Sequence, residues 1–514
     1  MKQFHKILFL ASVAFLAGNA ISCTSNFDDI NTNTTKLDAP DKSSMANAFA
    51  AAQYYSVAAG WQIYQSLFAD LQGQYFANVA QNFPSDRNVM VGNWLNLAWN
   101  GFYGTAIPPL LVTLENSKPG APNENAAIYA VASIWKVYMY LPRTDYWGPM
   151  PYSQVGNGKN SVEYDSQEFI YKDFLKTLAS SVAALGAFRT TKVFGNHDQI
   201  YAGDAEKWIR FGNTLRLRIA MRISKAEPAL AKTEAEAAVA GGVLSTHADD
   251  AFLKVTASSF NPMNQTTDWN EFRMSAAMES LLKGYDDPRM SKYFAPVLGT
   301  TNTFKGLRNG YSQTQVTLDE NLPKANSNVA DQFLPASQAT NPFAIMYASE
   351  AYFLKAEGAL NGWNMGGTAK DLYEMGIATS LKQWGIADAA IAAYVNGTTA
   401  PIALKDMVNT PPLTNVPVKF SSVPAEQREQ IITQKWLANF PNGHEAWAEY
   451  RRTGYPKLYP RINSDNADSP KDAAVRRTPF VIGEYRANAS AVQAAIDKLG
   501  GEDKSSTRLW WDKP

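Results

Sequence analysis

Cys23 is the only cysteine among 514 residues, so this chain can close no internal disulfide and must hold its fold together by burying a core. The residues ahead of it explain its position. Lys2 and Lys6 give a positive start, Ile7 to Ala17 is an apolar run, and Gly18-Asn19-Ala20-Ile21-Ser22 leads into the cysteine. That run is too short for a permanent membrane helix and reads as an export signal. A lone thiol behind small residues suits cleavage and acylation. Residues 1–22 are therefore expected to be a lipoprotein signal peptide, with Cys23 lipidated. Thr24 to Ser44 is polar and rich in Asn, Thr and Asp, so 23–44 reads as lipidated cysteine plus flexible tether, spanning roughly 25 Å on average.

Roughly 490 residues remain after the leader, ample for a large core. Lys+Arg and Asp+Glu each number 47, which gives no net field to draw in nucleic acid or an anionic surface. Nucleic acid is not an expected partner. With Cys23 consumed, no thiolate is left to ligate a metal. The 13 Trp, 24 Tyr and 25 Phe make aromatic content the telling figure. Most must be core; a minority in Gly, Pro and Asn-rich loops are candidates for stacking platforms.

From Met45 onward helical periodicity dominates, and no series of strands is expected. Asp204 can cap a segment whose Trp208, Phe211, Leu215, Ile219 and Ile223 form one apolar stripe. Glu124–Tyr140, Gln167–Leu185, Phe343–Leu360, Ala369–Trp384 and Glu426–Phe440 read similarly. Asn361-Gly362 stops one of these, and Tyr373, Gly376 and Ile377 in the next supply the small and aromatic faces that tetratricopeptide-type helix hairpins need. Looser stretches lie at 83–93, 258–269 and 300–341. Loops this long inside a compact domain are more often functional than idle.

Several blocks in order carry a resemblance. Asn26-Phe27-Asp28-Asp29-Ile30-Asn31 follows the cysteine; Thr144-Asp145-Tyr146-Trp147-Gly148-Pro149 comes next; Leu215-Arg216-Leu217-Arg218 and Arg222 lie on the Asp204 segment. Then come Gln434-Lys435-Trp436, Asn442-Gly443-His444-Glu445-Ala446-Trp447, Glu449-Tyr450-Arg451-Arg452 and Trp510-Trp511-Asp512. Together they resemble the SusD/RagB family of nutrient-binding outer-membrane lipoproteins. The resemblance implies a mostly α fold: one large domain, 45–514, built on tetratricopeptide-like helix hairpins with long irregular loops. It also implies anchoring in the outer membrane through lipid at Cys23, exposure at the cell surface, and a SusC-like TonB-dependent transporter as partner. Ala20 and Ile21 depart from the usual lipobox, and Pro142-Arg143 is inserted ahead of the Thr144 block.

The same blocks have a physical reading. Arg216, Arg218 and Arg222 on an apolar helix are costly unless paired, so carboxylate or carbonyl partners are expected. Glu445, Glu449, Arg451 and Arg452 fall within two helical turns, where i,i+3 and i,i+4 pairs form. These read as scaffold rather than ligand site.

Enzyme chemistry finds little support. Gly195-Asn196-His197-Asp198 resembles a metallophosphoesterase block but lacks the upstream aspartate motifs, and the remaining histidines, His247 and His444, show no ligand spacing. Nucleophile elbows, phosphate loops and HExxH helices are absent from the sequence. No catalytic residue, metal or cofactor is expected, although a carboxylate pair for glycoside cleavage is a spatial matter that sequence does not decide. The expected function is capture of an oligosaccharide or other nutrient, with a peptide-type cargo or an all-helical glycoside hydrolase or lyase as alternatives. The expected binding platform comprises Phe83, Arg87, Asn93 and Trp94 with Asn264, Trp269, Arg273 and Tyr311. These aromatic, amide and guanidinium groups lie in loops or at loop edges. Trp99 and Tyr103, at i,i+4, are expected in the core.

Overall fold

The computed structural model describes residues 41–159 and 161–514. Cys23, the signal peptide and the tether up to residue 40 lie outside the described residues. Helix α1, Lys42–Ala58, begins three residues earlier than expected, because Asp41 accepts the Ser44 N–H at 2.7 Å and caps it. Ser43 and Ser44 therefore belong to the helix and not to the tether.

Helices α2 (Gly92–Gly101), α3 (Ile107–Ser117), α4 (Ala126–Trp147), α5 (Gln167–Leu185), α6 (Ala205–Arg222) and α7 (Pro228–Ala240) follow. Consecutive members of the α4–α7 series pack side by side, and α1 packs on α3. Asp204 caps α6 through the Lys207 N–H, as its sequence position requires. Helix α4 runs past the expected Tyr140 and through Pro142 to Trp147. It stops only at Gly148, whose φ of +81° suits glycine. Burial of Thr144, Asp145, Tyr146 and Trp147 holds that last turn in place.

Later helices include α8 (Ala348–Leu360), α9 (Ala369–Gln383), α10 (Pro424–Ala438) and α11 (Gly443–Thr453). The α8–α9 pair is the helix hairpin read from Tyr373 and Gly376. Gly376 lies so close to Phe353 that a β-carbon there would sit 2.8 Å from the ring. Gly376→Ala is expected to cost about 1–3 kcal/mol, read as a lower denaturant midpoint; an unchanged midpoint would show that Phe353 moves freely.

Strand pairing is slight: β1 (Phe76–Asn78) lies antiparallel to β3 (Phe272–Met274), and β2 (Ala251–Leu253) to β4 (Phe343–Met346). Phe343–Met346 was expected to be helical; pairing with β2 takes it into a strand, and the helix starts at Ala348.

Two large apolar clusters fill the molecule. One gathers α1 and α3–α6 around Trp135, Trp147 and Trp208. The other gathers α8–α10 and β3 around Tyr75, Tyr293, Phe353 and Phe440. Between α4, α6, α8, α10 and α11 lies a buried ionic network. Arg222, wholly buried, meets Asp145 at 2.6 Å and Glu445 at 2.7 Å, with Glu449 at 3.4 Å. Arg218 pairs with Glu350 at 2.6 Å, and Lys435 reaches Glu445 and Glu449 at 3.2 and 3.1 Å. Arg452 joins Glu449 to Glu357, and Arg216 pairs with Glu234. Arg216, Arg218 and Arg222 of α6 thus find the carboxylates their setting demands. Arg451 instead donates to the Asp145 and Arg476 carbonyls and lies over the Trp447 ring. The indole of Trp511 donates to Asp145 at 2.8 Å, which brings the far end of the described chain into this network.

Candidate functional site

The β1–β3 ladder pairs Asn78 with Phe272, so the loop leaving β1 and the loop entering β3 emerge at the same end. A third segment is tied to them. Asp86 accepts from the Asn309 side chain and the Gly310 N–H, and the Arg87 guanidinium reaches the Tyr311 carbonyl at 3.5 Å. Stretches 79–94, 258–271 and 309–326 therefore form one loop cluster.

Within it the eight expected platform residues separate into two groups. Arg87 is buried, held at 2.6 Å by Asp465. Asn264 is buried; its amide donates to the Gln332 and Leu334 carbonyls, and its carbonyl accepts from Asn341. Arg273, also buried, donates to the Pro323 and Phe272 carbonyls and to Asn270. Tyr311 packs in a small apolar cluster with Ala77, Val79, Leu307 and Val316. The expectation that these four stay exposed is corrected. Loop carbonyls need donors once they leave water, and Arg87, Asn264 and Arg273 supply them, while Tyr311 is taken by apolar packing. Phe83, Asn93, Trp94 and Trp269 remain accessible to different degrees. Trp269 is 48% exposed and Asn93 is exposed, while Phe83 and Trp94 are half-buried in an edge-to-face pair with ring centroids 5.3 Å apart. Trp99 is buried, and Tyr103 packs on it at 4.7 Å while donating to the Pro151 carbonyl.

Behind these loops lies a cavity of about 230 Å³. Its aromatic walls come from Trp61, Tyr64, Tyr138, Phe333, Tyr347 and Trp384, and His444, Asn261, Asn341 and Asn442 add polar groups. Trp61 opens a π-helical segment, Gln62–Ala69, a widened turn of the kind often found where a helix meets a site. Asn264 stands behind the wall and fixes Gln332 and Asn341, both of which line the cavity. His444 sits on a chain of hydrogen bonds. Tyr146 gives its single proton to the Tyr64 carbonyl at 2.6 Å, so His444 Nδ1, 3.0 Å from the same hydroxyl, is the donor to it. Burial first, and then the nearby Arg143 cation, hold His444 well below the usual histidine range and neutral. The sequence gives no sign of this cavity, since its walls come from segments near 61, 138, 261, 333, 347, 384 and 444 that share no period.

Residues 26–512 match the SusD-like family, described as SusD and RagB outer-membrane lipoproteins. The chain belongs to the SusD/RagB family. A chitin-binding SusD homologue from Flavobacterium johnsoniae is similar at 36% identity and a TM-score of 0.84, over 91% of this chain and 98% of that one. A SusD homologue from Bacteroides uniformis is similar at 32% identity and TM-score 0.81, over 92% and 100%. A SusD-like protein from Bacteroides thetaiotaomicron is similar at 30% identity and TM-score 0.82, over 91% and 99%. No curated protein matches. The mostly helical, single-domain SusD-like fold read from the sequence is thereby established, and so is the family's character as outer-membrane lipoproteins that bind substrate. Among the described residues no helix is long and apolar enough to cross a membrane.

The SusD/RagB motifs supply scaffold. Asp145, Glu445, Glu449 and Arg452 sit in the ionic network, and Lys435 with them. The enzyme-like Gly195–Asp198 string is scaffold too. Asp198 is buried and accepts from Gln53, the Gly203 N–H and the Trp208 indole at 2.8–2.9 Å, so its carboxylate is occupied in shaping the turn before α6. The Pro142-Arg143 departure falls at the cavity. Pro142 lines it, and buried Arg143 lies 3.3 Å over the Tyr64 ring with no carboxylate partner among the described residues.

Proposed function

We propose that this protein captures glycans at the cell surface, held there by acylated Cys23, and delivers them to a SusC-like TonB-dependent transporter without cleaving them. In this reading residues 1–22 are removed, 23–40 form the tether, and the described domain does the binding. The observation that carries it is the contrast inside the loop cluster: the buried Arg87, Asn264 and Arg273 are spent on loop carbonyls and on Asp465, while Trp269 and the Phe83–Trp94 pair keep aromatic surface toward solvent. Flat apolar faces without a charged partner suit the C–H face of a neutral sugar chain. The similarity to a chitin-binding SusD homologue supports a glycan as cargo and makes chitin the first polymer to test.

Trp94→Ala with Trp269→Ala is expected to weaken retention on insoluble chitin, or on whichever polysaccharide of a panel the protein holds, about a hundredfold. A folded double variant that binds as before removes the platform from the proposal. The bound glycan should be recovered at its original length; shortened products would replace the binder by an enzyme. Intact-mass analysis should find diacylglyceryl and acyl groups on Cys23, and an unmodified thiol there would end the anchoring reading.

A further inference from the structure

The cavity behind the loops has the makings of a second binding site. None of Phe83, Trp94 and Trp269 lines it, so it is separate from the proposed surface platform. Its lining includes no Lys, Arg, Asp or Glu, which disfavours an ionic ligand. Its volume, about 230 Å³, falls below the ~300–1,000 Å³ typical of drug-sized sites and suits a single ring, not a chain.

Most polar groups on its wall are paired within the protein, but a few donors and acceptors are unspent. Trp61 is 3% exposed, and its indole N–H has no hydrogen-bond partner among the described residues. A buried donor left unpaired costs about 1–3 kcal/mol, a cost that an acceptor on a ligand would relieve. Tyr138 is half-buried, and its hydroxyl makes no hydrogen bond to another side chain or to the backbone among the described residues, while its ring stacks on Trp135 at 4.6 Å. Acceptors are present as well. With Nδ1 of His444 donating to Tyr146, its Nε2 keeps a lone pair. Pro142 has no N–H for the Tyr138 carbonyl one turn back, which frees that oxygen at the same wall. Exposed Pro342 and half-buried Phe343 and Trp384 on the lining leave a route to solvent.

A ligand for this site must be neutral, one ring in size, flat and apolar on its faces, and able both to donate and to accept around its edge. We propose that the cavity is a binding site for a single neutral pyranose, a free monosaccharide or one terminal residue of a glycan. The ring stacks among the aromatic walls, its oxygens accept from Trp61 and Tyr138, and its hydroxyls donate to His444.

The test is titration calorimetry of the full domain with glucose, N-acetylglucosamine, glucuronic acid and indole. Neutral sugars should bind, and glucuronic acid should not. Trp61→Phe with Tyr138→Phe keeps an aromatic ring at both positions but removes both edge donors, and should weaken neutral-sugar binding about tenfold or more in a variant that still unfolds in one cooperative transition. The Trp94→Ala, Trp269→Ala variant should bind monosaccharide as the wild type does, which separates this site from the surface platform. Absence of sugar binding, sugar binding indifferent to the Phe pair, or preference for indole would each overturn the proposal.

Discussion

Arg222→Met is expected to destabilise the domain by about 3–5 kcal/mol and to lower its melting midpoint by about 3–5 °C. Methionine fills similar space, so the loss is one of charge. Arg222 is wholly buried among Asp145, Glu445 and Glu449, and without it Glu445 and Glu449 keep Lys435, Arg452 and the more distant Arg218, while Asp145 loses its ion-pair partner. Burial alone would raise Glu445, but Arg222, then Lys435 and Arg218, outweigh it and hold the carboxyl down at about 2. Burial of Glu449 is likewise outweighed, by Arg452 and Lys435, so that it too lies well below the ordinary range. Carboxyls lowered in this way contribute stability that is in force above the ordinary glutamate value near 4.5 and is lost as pH falls toward 2. The wild type should therefore unfold progressively over that acid window, and Arg222→Met should already be compromised at neutral pH. Removing Glu445 in the same chain, as Arg222→Met with Glu445→Gln, should restore part of the loss. A single variant as stable as the wild type would mean that water or relaxation replaces the guanidinium.

Asp250→Asn should act in the opposite direction and gain about 2–4 kcal/mol at pH 8. Asp250 is 8% exposed; one oxygen accepts the Ala348 N–H at 2.7 Å at the start of α8, and the other has no partner among the described residues. Burial raises its pKa to about 7; the Ala348 N–H offsets part of this, and neighbouring Asp249 adds to the rise. Below the ordinary aspartate value of 3.8 the group is neutral whether folded or unfolded, and the substitution should change little. From there to about pH 7 the unfolded chain gives up its proton more readily than the folded one, so wild-type stability falls with rising pH; above 7 the difference is constant. Asparagine keeps the acceptor for Ala348 and carries no charge. Urea midpoints at pH 4 and pH 8 decide it: equal gains at both would assign the effect to packing instead of ionisation.

What the sequence could tell depended on how many partners a residue type admits. An arginine on an apolar helix stripe has few choices, and Arg216, Arg218 and Arg222 met the expected carboxylates. Gly376 opposite Phe353 was legible for a similar reason, since only a missing side chain lets those helices approach. Loop amides and guanidiniums have two equally good uses. Asn264 and Arg273 were chosen as ligand donors, but a loop folded back on itself strands its own carbonyls, and these side chains went to them. The cavity was illegible because Trp61, Tyr138 and His444 are brought together by packing alone. The helix that continues through Pro142 shows the same limit: local preference argues for a break, and burial of the following turn overrides it.

The bond from the Trp511 indole to Asp145 has a consequence for how the molecule is made. Asp145 lies among the first helices to leave the ribosome, yet one of its donors arrives 366 residues later. A partly synthesised chain can already offer that carboxylate Arg222 and the Tyr171 hydroxyl, but lacks its indole donor at the place where the helices close on one another. The network around Asp145 is therefore complete only once residue 511 has been made.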